Sequence, residues 1–193
     1  CTDYPGEQIY DETAGPGLNE EGKREADRLG QWVKGLDAAA LFVSPAVRTR
    51  ETARPIVGTL GIEPAFREDL RERSFGIWEG LTFQEIEKRY PEGLRRWKED
   101  PVGYAPEGGE SILDVQKRVS DFCQWVVQSY PLRHVILVTH MGPIRVAVTQ
   151  ALAMPIRNFK YLCVPNGSST RLNYGETAVN LAYLGVLPSG NPP

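Results

Sequence analysis

The sequence lacks several features that mark whole classes of protein. Its 193 residues include only three cysteines, an odd number without the close spacing of a zinc site, so neither a disulfide framework nor a bound metal is indicated. No apolar run approaches the roughly 20 residues that span a bilayer, and no signal-peptide pattern is present. These absences favour a cytoplasmic protein that does not enter a membrane.

The chain also lacks a strong excess of either charge. Its 22 Lys and Arg residues face 25 Asp and Glu residues, which gives a formal net charge of −3. Without an overall basic field, binding to nucleic acid or to an anionic membrane surface is not indicated. Any site for an anion must therefore be local.

Length and hydrophobic patterning predict one α/β domain over residues 1–193. Two short apolar runs, Ala38–Val43 and residues 135–138, predict strands that are buried on both faces, and each leads into a helical pattern. Alternating strands and helices predict a three-layer sandwich with a mainly parallel central sheet. Further predicted elements are helices over residues 19–35, 83–90, 94–97 and 111–129, a helix from Ile144, and a hairpin of strands 169–173 and 179–184.

One of only two histidines, His140, directly follows the predicted strand 135–138. Open α/β sheets bind ligands at the carboxyl ends of their strands, so His140 is a candidate site residue, with a core or surface histidine as the alternative. His134 begins the same strand and should lie at the opposite end of the sheet.

Arg48 occupies an equivalent position after the other buried strand. It falls in the first turn of a predicted helix, where backbone amides and a guanidinium group both suit a phosphate oxygen. The alternative is a solvated arginine on the helix surface.

Glu72 lies in a mixed apolar and basic stretch. A glutamate can act as a general acid where burial raises its pKa, although most glutamates flanked by arginines are members of surface ion pairs. Spacing alone favours the ion pair.

Four segments in register resemble the histidine phosphatase (phosphoglycerate mutase-like) superfamily. Residues 44–53 read Ser-Pro-Ala-Val-Arg-Thr-Arg-Glu-Thr-Ala and are similar to the family's Ser-Pro-x-x-Arg-x-x-x-Thr-Ala segment. Residues 70–80 resemble the stretch that supplies the proton donor, and residues 138–145 resemble the segment with the second catalytic histidine. Residues 108–111, Gly-Gly-Glu-Ser, look like the loop of the phosphatase branch.

The resemblance implies a role for each candidate residue. Arg48 would bind phosphate, Glu72 would be the proton donor, and His140 would be the second catalytic histidine. Thr2 and Met141 would also contact the substrate.

The family's Arg-His-Gly tripeptide, whose histidine attacks phosphorus, is not in the sequence. The family places any residue and then a threonine after the tripeptide, and Cys1-Thr2 fit those two positions. We therefore expect a peptide ending in Arg-His-Gly to precede Cys1 in the intact protein and to form a sheet strand. Pro5 stands where many members carry asparagine, and residues 15–19 read Gly-Pro-Gly-Leu-Asn instead of Asp-x-Pro-Leu-Thr.

The activity implied by the resemblance is hydrolysis of small phosphate monoesters through a phosphohistidine. The expected partner is a small phosphorylated metabolite; no cofactor or metal is implied, and a homodimer is left open. Alternatives are a cofactor-dependent phosphoglycerate mutase and a catalytically inactive phosphate-binding protein. Four aromatic residues are candidates either for the walls around the substrate or for packing of the helical insertion: Trp78, Phe83, Trp97 and Tyr104.

Overall fold

The computed structural model describes residues 2, 8–9 and 15–189. Its helices are α1 (Glu20–Trp32), α2 (Val47–Leu60), α3 (Phe83–Arg89), α4 (Pro91–Glu99), α5 (Ile112–Ser129) and α6 (Met141–Ala151). Its strands are β1 (Ala38–Val43), β2 (Pro64–Phe66), β3 (His134–Val138), β4 (Ser169–Tyr174) and β5 (Val179–Val186). Short 3-10 helices cover Glu68–Leu70, Gly76–Trp78 and Ile156–Tyr161.

The central sheet is parallel, with the order β2-β1-β3. Strand β1 pairs with β3 so that Val43 lies opposite Val138, and the two strands therefore end at the same level. Strands β4 and β5 form the predicted antiparallel hairpin. The expectation of a mainly parallel sheet is confirmed.

Helices cover both faces of this sheet because successive strand residues point in opposite directions. Leu41 and Val43 pack against α1 and α2, where Trp32 and Ile56 lie in the same buried cluster. Phe42 points to the other face and packs against Phe122 of α5, with ring centroids 5.4 Å apart. The predicted three-layer sandwich is therefore confirmed.

Local sequence signals account for most of the element boundaries. The Ser111 hydroxyl accepts from the Asp114 amide, and the Asp114 carboxylate accepts from the Ser111 amide, so the predicted capping box starts α5. Helix α6 begins at Met141 and not at Ile144, because Pro143 lies in the first turn, where a missing N–H breaks no helical bond. Strand β2 was not predicted, since three residues are too few to show a period.

Helices α3 and α4 form an insertion with its own small core. Trp78 is almost fully buried there, with Ile86 and Leu94. Residues 8–9 lie against this insertion, since the Ile9 amide donates to the Leu81 carbonyl and the Gly80 amide donates to the Ile9 carbonyl. Among the described residues, no helix is long and apolar enough to cross a bilayer.

Candidate active site

The carboxyl ends of β1 and β3 bring two helix N-termini together. The Ser44 amide donates to the Val138 carbonyl at 2.9 Å, which holds the two strand ends side by side. Helix α2 starts three residues after Ser44, and α6 starts immediately after His140. Two sets of first-turn amides therefore flank one place at the edge of the sheet, which is a favourable arrangement for an anion.

His140 is buried at this place between a serine and an arginine. Its Nε2 atom lies 2.7 Å from the Ser44 hydroxyl, and its Nδ1 atom lies 3.1 Å from Nη2 of Arg48. A guanidinium group can only donate, so Nδ1 must accept and the proton of the neutral ring belongs on Nε2, which donates to Ser44. Arg48 and His140, 92 positions apart in sequence, are thus in direct contact.

The surroundings of His140 favour its uncharged form. Burial lowers its pKa well below 6.5, and the positive charges of Arg48, Arg118 and Arg71 lower it further. The positive charge of the site is therefore supplied by arginine side chains and not by His140. Such fixed local charge suits an anionic ligand although the whole chain is slightly acidic.

The Glu72 carboxylate lies at the N-terminus of α6. Its Oε2 atom accepts from the Gly142 amide at 3.1 Å, and its Oε1 atom accepts from the Arg73 amide at 2.9 Å. Gly142 is only two residues after His140, so the carboxylate shares the helix terminus that His140 caps. Spacing alone favours a surface ion pair for Glu72, whereas these two bonds come from backbone amides.

Gly142 leaves the space that this carboxylate occupies. A Cβ atom at this position would lie 2.1 Å from Oε1 of Glu72, which is far inside van der Waals contact. Any larger residue would push the carboxylate away from the helix terminus. Gly142 lies in the segment 138–145 that resembles the family, but the resemblance gives it no role.

Two further predicted residues have less defined surroundings. Met141 is the first residue of α6 and is 44% exposed, while Thr2 is half-buried. Their contacts with substrate stay predictions. Cys1 and Pro5 lie outside the described residues, as does any residue before Cys1.

The structure also defines the surroundings of His134 and Glu79. His134 is exposed at the start of β3, at the opposite end of the strand from His140, as predicted. Glu79, a second carboxylate near the site in sequence, accepts from the Ser74 hydroxyl and the Phe75 amide and so stabilises its own loop. In the described part of the chain, no group of three His, Cys, Asp or Glu residues could hold a metal ion.

The candidate aromatic residues pack on one another in the insertion. The Trp78 ring lies 6.5 Å from Trp97 and 5.8 Å from Tyr104, and the Phe83 ring lies 6.0 Å from Trp97. Packing of the insertion accounts for these contacts. Only Phe83 of the four is exposed over half of its surface.

Sequence reasoning missed three residues that act on His140: Ser44, Arg71 and Arg118. Ser44 is fully buried and accepts from the ring, although it was recognised only as the start of a motif. Arg71 adds to the positive charge around His140 while it pairs with Glu68 at 3.0 Å. The position of Ser44 could have indicated a site residue, because it directly follows β1, just as His140 lies two residues after the end of β3.

Known proteins with similar sequences include phosphatases. Phosphoserine phosphatase 1 of Hydrogenobacter thermophilus is 30% identical over 161 residues, which cover 83% of this chain and 76% of that protein. A Mycobacterium tuberculosis protein described as bifunctional is 36% identical over 152 residues, which cover 78% of this chain but 42% of the relative. The chain thus spans less than half the length of that relative.

A solved structure agrees over almost the whole chain. The mycobacterial glucosyl-3-phosphoglycerate phosphatase in complex with VO3 has a TM-score of 0.81 and 28% identity, with 96% of this chain and 94% of that chain covered. The family model of the histidine phosphatase superfamily (branch 1) matches residues 1–186. With its fold and with the motifs that place Arg48, Glu72 and His140 at one sheet edge, this chain belongs to the histidine phosphatase superfamily.

Proposed function

We propose that the intact protein hydrolyses small phosphate monoesters in two steps. A histidine in an Arg-His-Gly peptide before Cys1 would attack phosphorus, and the bond from phosphorus to the ester oxygen would break as the phosphohistidine forms. Water would then attack the phosphohistidine and release inorganic phosphate. The observation that carries this proposal is the convergence of Arg48, His140 and Glu72 on two adjacent helix N-termini.

The charges of the site suit the transferred group. A phosphate monoester carries about −1.5 to −2 charges near neutral pH, and positioned donors must stabilise its equatorial oxygens during transfer. Arg48 supplies a fixed cation, and the first-turn amides of α2 and the Met141 amide of α6 supply dipoles, since the Gly142 amide binds Glu72 and Pro143 has no N–H. His140 lies against Arg48 and would contact the same phosphoryl group.

Glu72 would act on the leaving group. An alkoxide is a poor leaving group, so a protonated Glu72 would give its proton to the ester oxygen as the bond to phosphorus breaks. The resulting carboxylate could then take a proton from the attacking water in the second step. Its bond to the Gly142 amide supports this role, because that amide is only two residues after His140 at the start of α6.

The relatives support a phosphatase more than a transferase. Their names specify phosphoserine and glucosyl-3-phosphoglycerate as substrates of those proteins, and one was solved with VO3. For this chain we propose only the class, a small phosphorylated metabolite, in a cytoplasmic single-domain unit that needs no cofactor. A homodimer stays a prediction.

Two alternatives make different predictions. A phosphoglycerate mutase would need bisphosphoglycerate and would return the phosphoryl group to a phosphoglycerate. A catalytically inactive protein would bind phosphate and release none. Release of inorganic phosphate by the full-length protein without bisphosphoglycerate would separate the proposal from both.

The test of the acid is a comparison of two esters in the full-length protein. Glu72→Gln keeps the size of the side chain but removes the acidic proton, so we expect a loss of about 10² to 10⁴ in kcat/KM on an alkyl phosphate and a much smaller loss on p-nitrophenyl phosphate. His140→Ala should impair both esters, because it removes a contact with the phosphoryl group. Equal losses for Glu72→Gln would contradict the assignment, and the same ester preference in Glu79→Gln would transfer it to Glu79.

A further inference from the structure

The backbone that carries Glu72 is held by side chains from elsewhere in the fold. Arg118 of α5 donates through Nη1 to the carbonyls of Asp69 and Arg71, both at 2.8 Å, and through Nη2 to the carbonyl of Glu72 at 3.0 Å. The Thr139 hydroxyl donates to the carbonyl between them, that of Leu70, at 2.6 Å. Four consecutive carbonyls, those of residues 69–72, are therefore bound by two side chains.

These bonds hold the end of the 3-10 helix Glu68–Leu70 and the start of the segment that follows it. Residues 71–75 belong to no helix or strand, so no ladder of backbone hydrogen bonds fixes their conformation. Arg118 binds the first two carbonyls of this segment, and Thr139 binds the last carbonyl of the 3-10 helix before it. Thr139 directly precedes His140, which links the segment to β3, and Arg118 links it to α5.

Arg118 is itself fixed by Glu110. Its Nε and Nη2 atoms donate to the two carboxylate oxygens of Glu110 at 2.7 and 3.0 Å. With the three carbonyls, all five N–H groups of the guanidinium are used. The pair is largely buried, with side-chain exposures of 18% and 26%, and Glu110 also accepts from the Ser74 amide.

We propose that Arg118 is a positioning residue that holds Glu72 at the orientation needed to protonate the leaving group. This inference rests on the proposed function of Glu72. Two contacts from outside the segment define the position of Glu72: Arg118 binds its backbone carbonyl, and the Gly142 amide binds its carboxylate. The Arg73 amide, within the segment, donates to the same carboxylate. Loss of the bond from Arg118 lets the segment shift relative to the Gly142 amide. A displacement of about 1 Å in an active site can cost about 10²-fold in rate.

Arg118→Lys separates this geometric role from charge. Lysine keeps the positive charge that acts on the phosphate site but has three donors on one atom, so it cannot reproduce a planar fork with five bonds. We expect Arg118→Lys in the full-length protein to lower kcat/KM on an alkyl phosphate by about 10- to 100-fold and on p-nitrophenyl phosphate by less than about threefold. The matched control is Arg95→Lys, at an exposed arginine of α4 that also pairs with two carboxylates, Glu92 and Glu99; it should leave both values unchanged.

A double variant tests whether Arg118 acts through Glu72. If it does, Arg118→Lys in a Glu72→Gln background should cause no further loss on the alkyl phosphate. A second variant, Glu110→Gln, covers the case in which Arg118→Lys does not fold. It puts an amide NH2 against the guanidinium in either orientation, and against the Ser74 amide as well in one of them, and it should give a smaller loss with the same ester preference.

The outcomes distinguish this inference from the proposed function. Equal losses on the two esters by folded Arg118→Lys, while Glu72→Gln still prefers the aryl ester, would overturn the role of Arg118 alone. No ester preference in Glu72→Gln would overturn the acid assignment and this inference together. A further loss in the double variant would show that Arg118 acts on the phosphoryl group and not through Glu72.

Discussion

Substitution of Gly142 by alanine should separate catalysis from stability. A Cβ atom there would lie 2.1 Å from Oε1 and 3.1 Å from Cδ of Glu72, whereas ordinary contacts begin at 3.4 Å, so the carboxylate must retreat by more than about 1 Å. Its bond to the Gly142 amide would be strained or lost. A shift of this size can cost about 10²-fold in rate, and the loss should fall on esters that need a proton donor.

The same change should not weaken the fold. Gly142 lies in the first turn of α6, and alanine is favoured over glycine in a helix interior by roughly 0.5–1 kcal/mol. The displaced group is the end of a flexible side chain, so we expect the melting temperature to change by less than about 4 °C in either direction. Activity and stability are thus expected to separate.

The assay is kcat/KM of the full-length protein on an alkyl phosphate and on p-nitrophenyl phosphate, with thermal unfolding in parallel. Gly58→Ala is the matched control, because Gly58 lies in α2 with no atom within 4 Å of a built Cβ. It should preserve both activities. If Gly142→Ala hydrolyses the alkyl phosphate within about twofold of the unsubstituted protein, catalysis does not require the close approach of Glu72 to Gly142. That result would refute the reasoning.

Three other predictions concern stability. Ser44→Ala leaves the buried Nε2–H of His140 without its acceptor and should cost about 1–3 kcal/mol in the free energy of unfolding, measured by urea denaturation. Because burial lowers the pKa of His140 in the folded state, the unfolded state binds this proton first as the pH falls below 6.5. The free energy of unfolding should fall there by up to about 1.4 kcal/mol per pH unit, and this slope should shrink in His140→Asn. Trp78→Ala should lower the free energy of unfolding by about 3–5 kcal/mol, because Trp78 fills the core of the insertion. Phe83→Ala, at a side chain that is 52% exposed, should lower it by less than about 1 kcal/mol. Equal losses in the two variants would contradict the described packing.

The elements that the sequence predicts well are those with a strong local pattern. Strand β1 is a continuous apolar run, and its bounds agree with the prediction residue for residue. Helix α5 has a capping box and a regular apolar face, so its start and end were also predicted. Strand β2 has three residues and derives its structure from pairing with β1, which is a nonlocal contact that no local pattern records.

The site was predictable where it depends on strand ends and unpredictable where it depends on tertiary contacts. Position after a buried strand makes His140 and Arg48 candidates, with a core or surface histidine and a solvated arginine as the alternatives, and the family resemblance assigns their roles. Spacing alone favours an ion pair for Glu72, because arginines flank it in the sequence. Its bond to the backbone amide of Gly142 joins residues 70 positions apart, and no local pattern records such a contact. Arg118 is a similar case: on its helix it resembles any other charged residue, and only the fold places the backbone of Glu72 against it.

The bonds of His140 also constrain how it can contact a phosphate. With Nδ1 accepting from Arg48 and Nε2–H donating to Ser44, the neutral ring has no proton to offer an anion on the Arg48 side. Phosphate would bring about two negative charges beside Arg48, and opposite charge favours the protonated form of a histidine. Nδ1 would then gain a proton and could no longer accept from Arg48, so both groups would be left as donors facing the same oxygens. On the proposed mechanism, the substrate would therefore replace the contact between Arg48 and His140. Burial and then the nearby arginines keep His140 neutral beforehand, and the same arginines would attract the phosphate.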